Sequence, residues 1–284
     1  MLDSIISAIK HSALEVDLLL KRANFDYANV DFGGSKNSTG DLQLSVDVEA
    51  NEIFKNALLG LDAVKGIASE EESEAIYKEN GGGAYLVAFD PLDGSSIVDS
   101  NFSVGSIFGI YNGEFSAQNL IASGYVLYGV RLELIVAQED VARFVYDGAH
   151  WRFSGNLMLK EQGKINAPGG TQKYWHTNHK LLVESLFLEG YRLRYSGGMV
   201  PDLHNILIKG GGLFSYPATT DAPSGKLRAL FEVLPFALIF ERAGGMAIDG
   251  KNRLLGLKIE QIHQKTPCFF GSGYEIERVK VAYK

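Results

Sequence analysis

The opening segment of the chain alternates apolar and polar positions with the period of a helix. From residue 2 to residue 23 apolar side chains recur every three or four positions, and charged residues lie between them. This spacing predicts an amphipathic α-helix over 2–23. A second helix is predicted over 42–61, because Asp41 follows Gly40 at a position suited to a helix N-cap.

Continuous apolar runs between turn signals predict strands in the same half of the chain. The run 84–89, Ala-Tyr-Leu-Val-Ala-Phe, ends at Asp90-Pro91 and is typical of a strand buried on both faces. β-Branched and aromatic residues favour further strands. These lie at 64–69, at 103–111 and within 120–137, where turns separate them.

The pattern breaks around residues 151–155, and we place a domain boundary there. Beyond it, helices are predicted over 201–209 and 225–242. Pro235 should kink or break the second helix, because proline has no backbone N–H to donate. Helices mixed with largely apolar strands predict a layered α/β fold.

Composition excludes several classes of protein. The 284 residues carry 27 Lys and Arg against 34 Asp and Glu, a net charge of −7, which disfavours nucleic acid or an anionic membrane as partner. The single cysteine, Cys268, cannot form an intrachain disulfide. No run approaches the roughly 20 apolar residues of a bilayer span, and the start lacks the features of a signal peptide. We therefore expect a cytoplasmic protein.

Candidate chemistry concentrates where the apolar run 84–89 ends. Asp90 and Asp93 lie within one turn, and carboxylates with a backbone carbonyl are hard oxygen ligands that favour Mg²⁺ or Mn²⁺. The following Gly94-Ser95-Ser96 offers N–H and hydroxyl groups of the kind that hold a phosphate. If strand 64–69 lies beside strand 84–89, then Glu70-Glu71-Glu72 ends near Asp90. The residues thus indicate phosphoryl transfer.

Simpler interpretations stay open from the residues alone. An Asp-Pro-x-Asp-Gly segment can merely cap a helix, and three consecutive glutamates are often a solvated surface. Lys226 and Arg228 could be exposed helix residues, and Tyr195 and Tyr216 could be core aromatics.

Several segments together resemble class I fructose-1,6-bisphosphatases, in that family's order from about residue 38 to 273. They are 69–71, 89–96, 103–111, 194–200, 225–232, 243–247 and 262–264. The shorter Asp-Pro-Leu-Asp-Gly-Ser core is shared by the wider Mg²⁺-dependent, lithium-sensitive sugar phosphatase superfamily. The resemblance implies a layered α-β-α-β-α architecture of two intimately packed halves. Residues 1–152 would supply the metal carboxylates and residues 153–284 the sugar-phosphate pocket.

The resemblance also implies residue roles. The metal ligands would be Glu70, Asp90, the Leu92 carbonyl, Asp93 and Glu232, with Asp41 assisting a further metal. The residues that position and deprotonate the attacking water would be Asp47 and Glu71. The substrate would be bound by Asp93, Gly94, Ser95, Ser96, Arg194, Tyr195, Gly197, Met199, Tyr216 and Lys226, with Arg194 reaching the 6-phosphate of a neighbouring subunit.

The implied activity is hydrolysis of the 1-phosphate of D-fructose 1,6-bisphosphate by metal-activated water, in gluconeogenesis. It implies two or more Mg²⁺ ions per subunit, for which Mn²⁺ could substitute, and a homo-oligomer, most simply a tetramer. One alternative is a sedoheptulose-1,7-bisphosphatase or an inositol-phosphatase-like enzyme. Another is a catalytically inactive phosphosugar-binding regulator, which the intact acidic set disfavours.

Two departures from the family pattern affect regulation and specificity. Ala84 and Gln118 stand where AMP-inhibited members have a lysine and an arginine, which predicts weak or absent inhibition by AMP. Asn166 matches a sugar-pocket asparagine of the family, but the following 167–170 is closer to sedoheptulose bisphosphatases. Strictness for six-carbon over seven-carbon sugars therefore stays open.

Overall fold

The computed structural model of the chain describes residues 2–23, 35–36, 42–43, 45–79 and 82–284. Its α-helices are α1 (Leu2–Ala23), α2 (Ser45–Leu59), α3 (Thr177–Leu188), α4 (Met199–Lys209), α5 (Leu234–Arg242) and α6 (Gly273–Ala282). None of these six helices combines the length and the apolar character that a bilayer span requires.

The strands fall into two large sheets and two short ribbons. In chain order they are β1 (Ser35–Lys36), β2 (Leu42–Gln43), β3 (Val64–Ser69), β4 (Ile76–Tyr77), β5 (Tyr85–Asp93), β6 (Val104–Asn112), β7 (Leu120–Tyr128), β8 (Leu132–Ala137), β9 (Val141–Tyr146), β10 (Trp151–Asn156), β11 (Ile165–Pro168), β12 (Arg192–Leu193), β13 (Gly212–Tyr216), β14 (Leu227–Arg228), β15 (Met246–Ile248), β16 (Lys265–Thr266) and β17 (Cys268–Gly271). The first sheet has the order β10-β9-β8-β7-β6-β5-β3-β4 and the second β12-β11-β13-β17-β15.

Alternating side chains on the two sheets produce five layers. Helices α1 and α2 cover one face of the first sheet, where Ile9 and Phe54 join the same core as Val87. Helices α4 and α5 lie between the sheets, in a core shared by strands of both. Helices α3 and α6 cover the outer face of the second sheet, around Phe269. The α-β-α-β-α arrangement predicted from the family resemblance is confirmed.

The predicted elements of the first half are largely confirmed. Helix α1 and strand β3 have the predicted bounds, and helix α2 is shorter than predicted because residues 42–43 form a strand instead. Strand β5 does not end at Asp90, since its ladder with β6 resumes at Asp93 after an irregularity. Asp41, the predicted N-cap, lies outside the described residues.

The prediction of one helix over 225–242 is wrong at its start. Residues 227–228 form the short strand β14, paired with β16, and the next five residues form a π-helical segment, Ala229–Val233. Pro235 falls in the first turn of α5, where a missing N–H is tolerated, so the proline produces no mid-helix kink. This irregular segment carries Glu232 and Arg228.

Candidate active site

Three buried carboxylates converge between the two halves of the molecule. Asp90 and Asp93 come from the end of β5, and Glu232 comes from the π-helical segment before α5. One oxygen of each lies within 4.8 Å of the others. Their exposed fractions are 5%, 8% and 5%, so water screens the three charges only weakly. We call these three residues the carboxylate cluster.

Burial and mutual repulsion shift the acidity of this cluster. Burial, reinforced by the charge of Glu70, raises the pKa of Asp90 and of Glu232 well above the usual range. Burial also raises the pKa of Asp93 to about 7, although two backbone N–H groups oppose the shift. Crowded hard oxygen ligands of this kind fit a divalent cation, which would offset their repulsion.

Backbone donors hold the two aspartates in place. The Leu92 N–H donates to Oδ1 of Asp90 at 2.9 Å. The Met199 and Val200 N–H groups donate to the two oxygens of Asp93 at 3.1 and 2.7 Å. Both donors belong to the first turn of α4, where the helix dipole favours a negative charge. Asp93 of the first half is therefore anchored by a helix of the second half.

The sheet topology brings the predicted glutamates to the same edge. Strands β3 and β5 are parallel neighbours, with Ser69 beside Phe89, so Glu70 leaves the sheet where Asp90 does. Asp47 is 3% exposed on α2, and Glu71 is half-buried in the turn after β3. The sequence predicted that the glutamates lie near Asp90 only if these two strands are neighbours, and they are neighbours. Of the predicted acidic set, Asp41 is not among the described residues.

Arg228 also lies at the candidate site, although the sequence predicted no role for it there. Its Nη1 lies 2.5 Å from Oε1 of Glu70, and its backbone N–H donates to Oε2 of Glu232 at 2.5 Å. The residue is only 7% exposed, because β14 carries it inward instead of placing it on a helix surface. The interpretation of Arg228 as an exposed helix residue is therefore wrong. The sequence offered one signal that Arg228 lies at the site, namely its position only four residues before Glu232.

The predicted phosphate segment follows the cluster directly. Gly94 has φ +86°, a left-handed conformation that favours glycine, and a Cβ there would lie 3.4 Å from the Gly198 Cα. Ser95 is half-buried and Ser96 is exposed at the surface beside it. Gly197 also has a positive φ, +108°. The backbone from both halves thus approaches closely beside Asp93.

Three of the predicted sugar residues, Arg194, Tyr195 and Lys226, are more exposed than the carboxylate cluster. Tyr195 is 42% exposed. Partial burial raises the pKa of the Tyr195 hydroxyl, and a backbone hydrogen bond donated by Gly170 opposes this shift in part. Lys226 is exposed and its Nζ lies 3.5 Å from the Asp221 carboxylate. Arg194 is exposed, with Nη1 donating to the neighbouring Leu193 carbonyl, while Met199 is buried and its backbone N–H donates to Asp93.

Gly169 lies between the two tyrosines assigned to the sugar. A Cβ at this position would come within 2.5 Å of the Tyr216 ring and 3.2 Å of the Tyr195 ring. The Gly169 carbonyl accepts a hydrogen bond from Trp175 Nε1 at 3.1 Å. This glycine belongs to the segment 167–170 that departs from the family pattern.

Asn166 lies elsewhere. Its neighbours Ile165 and Ala167 face the core between the sheets, the side on which Tyr216 packs. Asn166 pairs with Leu213, which faces the core beneath α3 and α6. Strand alternation therefore points the Asn166 side chain away from Tyr216, and the structure does not bring it to the predicted pocket.

The layered α/β fold and the carboxylate cluster beside a glycine-rich turn define a class of enzyme that handles phosphate groups. Family models agree with this class. The model described as fructose-1-6-bisphosphatase, N-terminal domain, matches residues 1–156, and that of the C-terminal domain matches residues 159–284. The chain belongs to the fructose-1,6-bisphosphatase family and is therefore a phosphoric monoester hydrolase.

Individual relatives support the same family over the whole chain. The chain is 56% identical to the class 1 fructose-1,6-bisphosphatase of Helicobacter hepaticus, with 100% of both chains covered. It is 49% identical to that of Campylobacter jejuni, with 99% of both covered.

Solved structures give the same result. The holo form of Leishmania major fructose-1,6-bisphosphatase superposes with a TM-score of 0.93 and 31% identity, covering 98% of this chain and 93% of the other. A proposed sedoheptulose-1,7-bisphosphatase of Toxoplasma gondii gives a TM-score of 0.88 and 32% identity, covering 99% and 94%.

Proposed function

We propose that the chain hydrolyses the 1-phosphate of D-fructose 1,6-bisphosphate to fructose 6-phosphate and phosphate, as a step of gluconeogenesis. The observation that carries this proposal is the convergence of Asp90, Asp93 and Glu232 within 4.8 Å in a member of the fructose-1,6-bisphosphatase family. Relatives of 48–56% identity bear that activity in their names.

Magnesium is the proposed cofactor, with two or more ions per subunit and Mn²⁺ as a substitute. The carboxylates of Glu70, Asp90, Asp93 and Glu232 with the Leu92 carbonyl would hold the ions, and Asp41 would assist at a further position. Bound divalent ions neutralise phosphate charge and acidify water. Arg228 pairs with Glu70 at 2.5 Å, so Glu70 must exchange this partner to bind a cation.

The protein's own groups would carry the proton and orient the phosphate. Asp47 on α2 and Glu71 in the turn after β3 are proposed to position the attacking water and accept its proton, because a carboxylate beside the water can act as general base. Gly94, Ser95 and Ser96 would orient the 1-phosphate through backbone and hydroxyl donors. Asp93, anchored by α4, would fix this segment relative to the second half.

The second half is proposed to bind the sugar and the 6-phosphate. The contributing residues would be Tyr195, Gly197, Met199, Tyr216 and Lys226, joined by Arg194 from a neighbouring subunit. This division assigns the carboxylates mainly to residues 1–152 and the sugar pocket to residues 153–284. A homotetramer in the cytoplasm is proposed on the same grounds, with Arg194 exposed as a contribution in trans requires.

A second substrate is supported by one feature of the pocket. The feature is the loop 167–170, whose sequence is closer to sedoheptulose bisphosphatases and whose Gly169 backbone packs against the rings of Tyr216 and Tyr195. The likeness to the proposed Toxoplasma gondii sedoheptulose-1,7-bisphosphatase agrees with this alternative. The intact carboxylate cluster disfavours an inactive phosphosugar-binding regulator.

Phosphate release tests the proposal. The purified protein would be assayed with Mg²⁺ and with EDTA on fructose 1,6-bisphosphate, sedoheptulose 1,7-bisphosphate and inositol 1-phosphate. We expect Mg²⁺-dependent release with a preference for the six-carbon bisphosphate. A comparable rate on the seven-carbon sugar would establish dual specificity. No release from any substrate by folded, metal-supplied protein would refute the enzymatic proposal.

A further inference from the structure

The turn that carries Glu70 and Glu71 is closed by its own backbone. We call residues Ser69–Glu72 the acidic turn. The Glu72 N–H donates to the Ser69 carbonyl at 3.2 Å, and the Glu71 N–H donates to the Ser69 hydroxyl at 3.2 Å. These bonds fix the shape of the turn, but its orientation toward the carboxylate cluster must come from neighbouring elements.

Asn51 holds the acidic turn from the side of α2. Its Oδ1 accepts a hydrogen bond from the Ser69 hydroxyl at 2.6 Å, and its Nδ2 donates to Oε1 of Glu72 at 3.0 Å. Ser69 is 0% exposed and Asn51 5%, so loss of this amide would leave the buried Ser69 hydroxyl without its acceptor, whereas Glu72 Oε1 would keep its contact with Lys55 Nζ at 3.0 Å. Asn51 follows Asp47 by four residues and shares its helix face. This helix face therefore carries Asp47, one of the two proposed proton acceptors. It also carries Asn51, which is hydrogen bonded to the turn that contains Glu71, the other proposed acceptor.

His263 holds the acidic turn from the opposite side. Its Nε2 donates to the Glu72 carbonyl at 2.8 Å. Its ring packs against the Phe231 ring at a centroid distance of 5.3 Å, and Phe231 directly precedes Glu232. The backbone carbonyl of the next residue, Gln264, accepts a hydrogen bond from the Ala229 N–H at 2.7 Å. One short loop of the second half thus contacts both segments that supply glutamates.

We propose that Asn51 and His263 are positioning residues that hold the acidic turn in register with Glu232. Neither is proposed to touch a metal ion or substrate. They act through their contacts with Ser69, Glu72 and Phe231. Through these contacts they fix the distance between Glu70 and Glu232 in the folded chain. This inference rests on the proposed function, which assigns those glutamates to the site. It also gives the Ile262-His263-Gln264 motif a role that the proposed chemistry left unassigned.

Variants of His263 separate the hydrogen bond from the packing. His263→Phe keeps a ring against Phe231 and removes the donor, whereas His263→Gln restores an amide donor at a similar reach. We expect His263→Phe to weaken Mn²⁺ binding, titrated by electron paramagnetic resonance without substrate, by about tenfold, since outer-shell partners commonly affect metal affinity by 10–100-fold. The kcat should fall by a similar factor, with KM for fructose 1,6-bisphosphate within about twofold, and His263→Gln should recover most of both losses.

Controls distinguish the possible failures. His150→Phe, at an exposed position between β9 and β10, should change nothing, and Asn51→Ala should behave like His263→Phe. Circular dichroism verifies folding. Unchanged Mn²⁺ binding and kcat in folded His263→Phe would overturn the inference, as would equal losses in the Phe and Gln variants. If His263→Phe does not fold, folded Asn51→Ala decides in the same way. A wild type without Mg²⁺-dependent hydrolysis would instead refute the proposed function.

Discussion

The two ends of the candidate site are built in different ways. At the end that carries the carboxylate cluster, called the metal end after its proposed ligand, three carboxylates are less than a tenth exposed and are held by backbone N–H groups from both halves. At the sugar end, Tyr195 is 42% exposed and both Lys226 and Arg194 lie at the surface. The aspartates of the carboxylate cluster are held by hydrogen bonds within the chain, whereas the side chains of Tyr195, Lys226 and Arg194 are exposed to water.

This difference has an energetic origin. Buried like charges raise the free energy of the fold, so the metal end needs fixed donors and a compensating positive charge, which Arg228 provides in part. Exposed cations at the sugar end cost little to keep in water and gain little from surface pairing. Changes at the metal end should therefore alter turnover and stability together, and changes at the sugar end should alter substrate affinity alone.

The largest expected effect comes from Asp90→Asn. The variant replaces a buried carboxyl group whose ionisation is opposed by burial and by neighbouring carboxylates, and it removes one proposed ligand of the metal ions. We expect kcat to fall by about 10⁴-fold, since bound metal ions supply several kcal/mol of transition-state stabilisation. Because repulsion is relieved, the metal-free protein should melt at a higher temperature than wild type. Thermal unfolding in EDTA and phosphate release with Mg²⁺ measure both, and a lower melting temperature would contradict the repulsion argument.

Glu71→Gln should have the next largest effect. The amide keeps the size of the side chain but cannot accept the proton of the attacking water, so kcat should fall by about 10²–10³-fold. The KM and Mn²⁺ binding should stay close to wild type, because Glu71 is not a proposed ligand. Glu74→Gln, at an exposed position just beyond the acidic turn, is the matched control. An unchanged rate in Glu71→Gln would remove this residue from the mechanism.

The sequence predicted the spatial grouping of the acidic residues better than that of the proposed sugar residues, because the first grouping depends on neighbouring elements of the chain. Asp90 and Asp93 follow one apolar strand, and Glu70 follows its parallel neighbour, so the order of elements nearly determines their meeting. Glu232 and Arg228 depend on a strand and a π-helical segment where periodicity favoured a plain helix. Their inward orientation is set by contacts with residues far along the chain.

Strand parity explains the misplacement at the sugar end. A shift of one residue moves a side chain to the other face of a sheet. Asn166 matched a family residue by its neighbours in sequence, but its pairing with Leu213 directs it toward α3 and α6. Gly169, three positions later, is the residue that lies against the tyrosines. The residues that flank Asn166 in the sequence do not specify which residue of β13 it pairs with, so they could not predict which face of the sheet its side chain occupies.

His179 should make the stability of the fold depend on pH. Burial lowers the pKa of His179 to about 4. The folded state therefore keeps this residue neutral, while the unfolded state takes up a proton below about pH 6.5. The free energy of unfolding should fall as the pH drops from 6.5 toward 4, by about 2 kcal/mol from this residue between pH 7.5 and 5. The His179 ring contacts the ring of Trp175, whose Nε1 donates a hydrogen bond to the Gly169 carbonyl beside the sugar end.

Denaturant unfolding at pH 7.5 and pH 5 checks this expectation. His179→Phe loses the hydrogen bond to Tyr283 and should be less stable at pH 7.5, but its stability should depend less on pH. His150→Phe, which is exposed, should keep the wild-type dependence. Equal pH dependence in wild type and His179→Phe would show that this histidine does not contribute.

The smallest expected effect, from Lys226→Met, tests the sugar end most directly. In the structure Lys226 lies 3.5 Å from Asp221, and both side chains are partly exposed, at 45% and 31%. Such a pair is worth at most about 1 kcal/mol, so a phosphate dianion can displace the aspartate with little cost. Lys226→Met should raise KM for fructose 1,6-bisphosphate by about tenfold, a loss of about 1.4 kcal/mol, while kcat and Mn²⁺ binding stay unchanged.

Ionic strength and a second variant refine this last expectation. Salt screens exposed charges, so KM should rise with ionic strength more steeply in wild type than in Lys226→Met. Asp221→Asn frees the lysine and should leave KM equal to or below the wild-type value. Lys258→Met, at a side chain that is 86% exposed, is the control for loss of one surface charge. A fall in kcat with constant KM in Lys226→Met would contradict the proposed division, because it would place this lysine with the groups that act on the reacting phosphate.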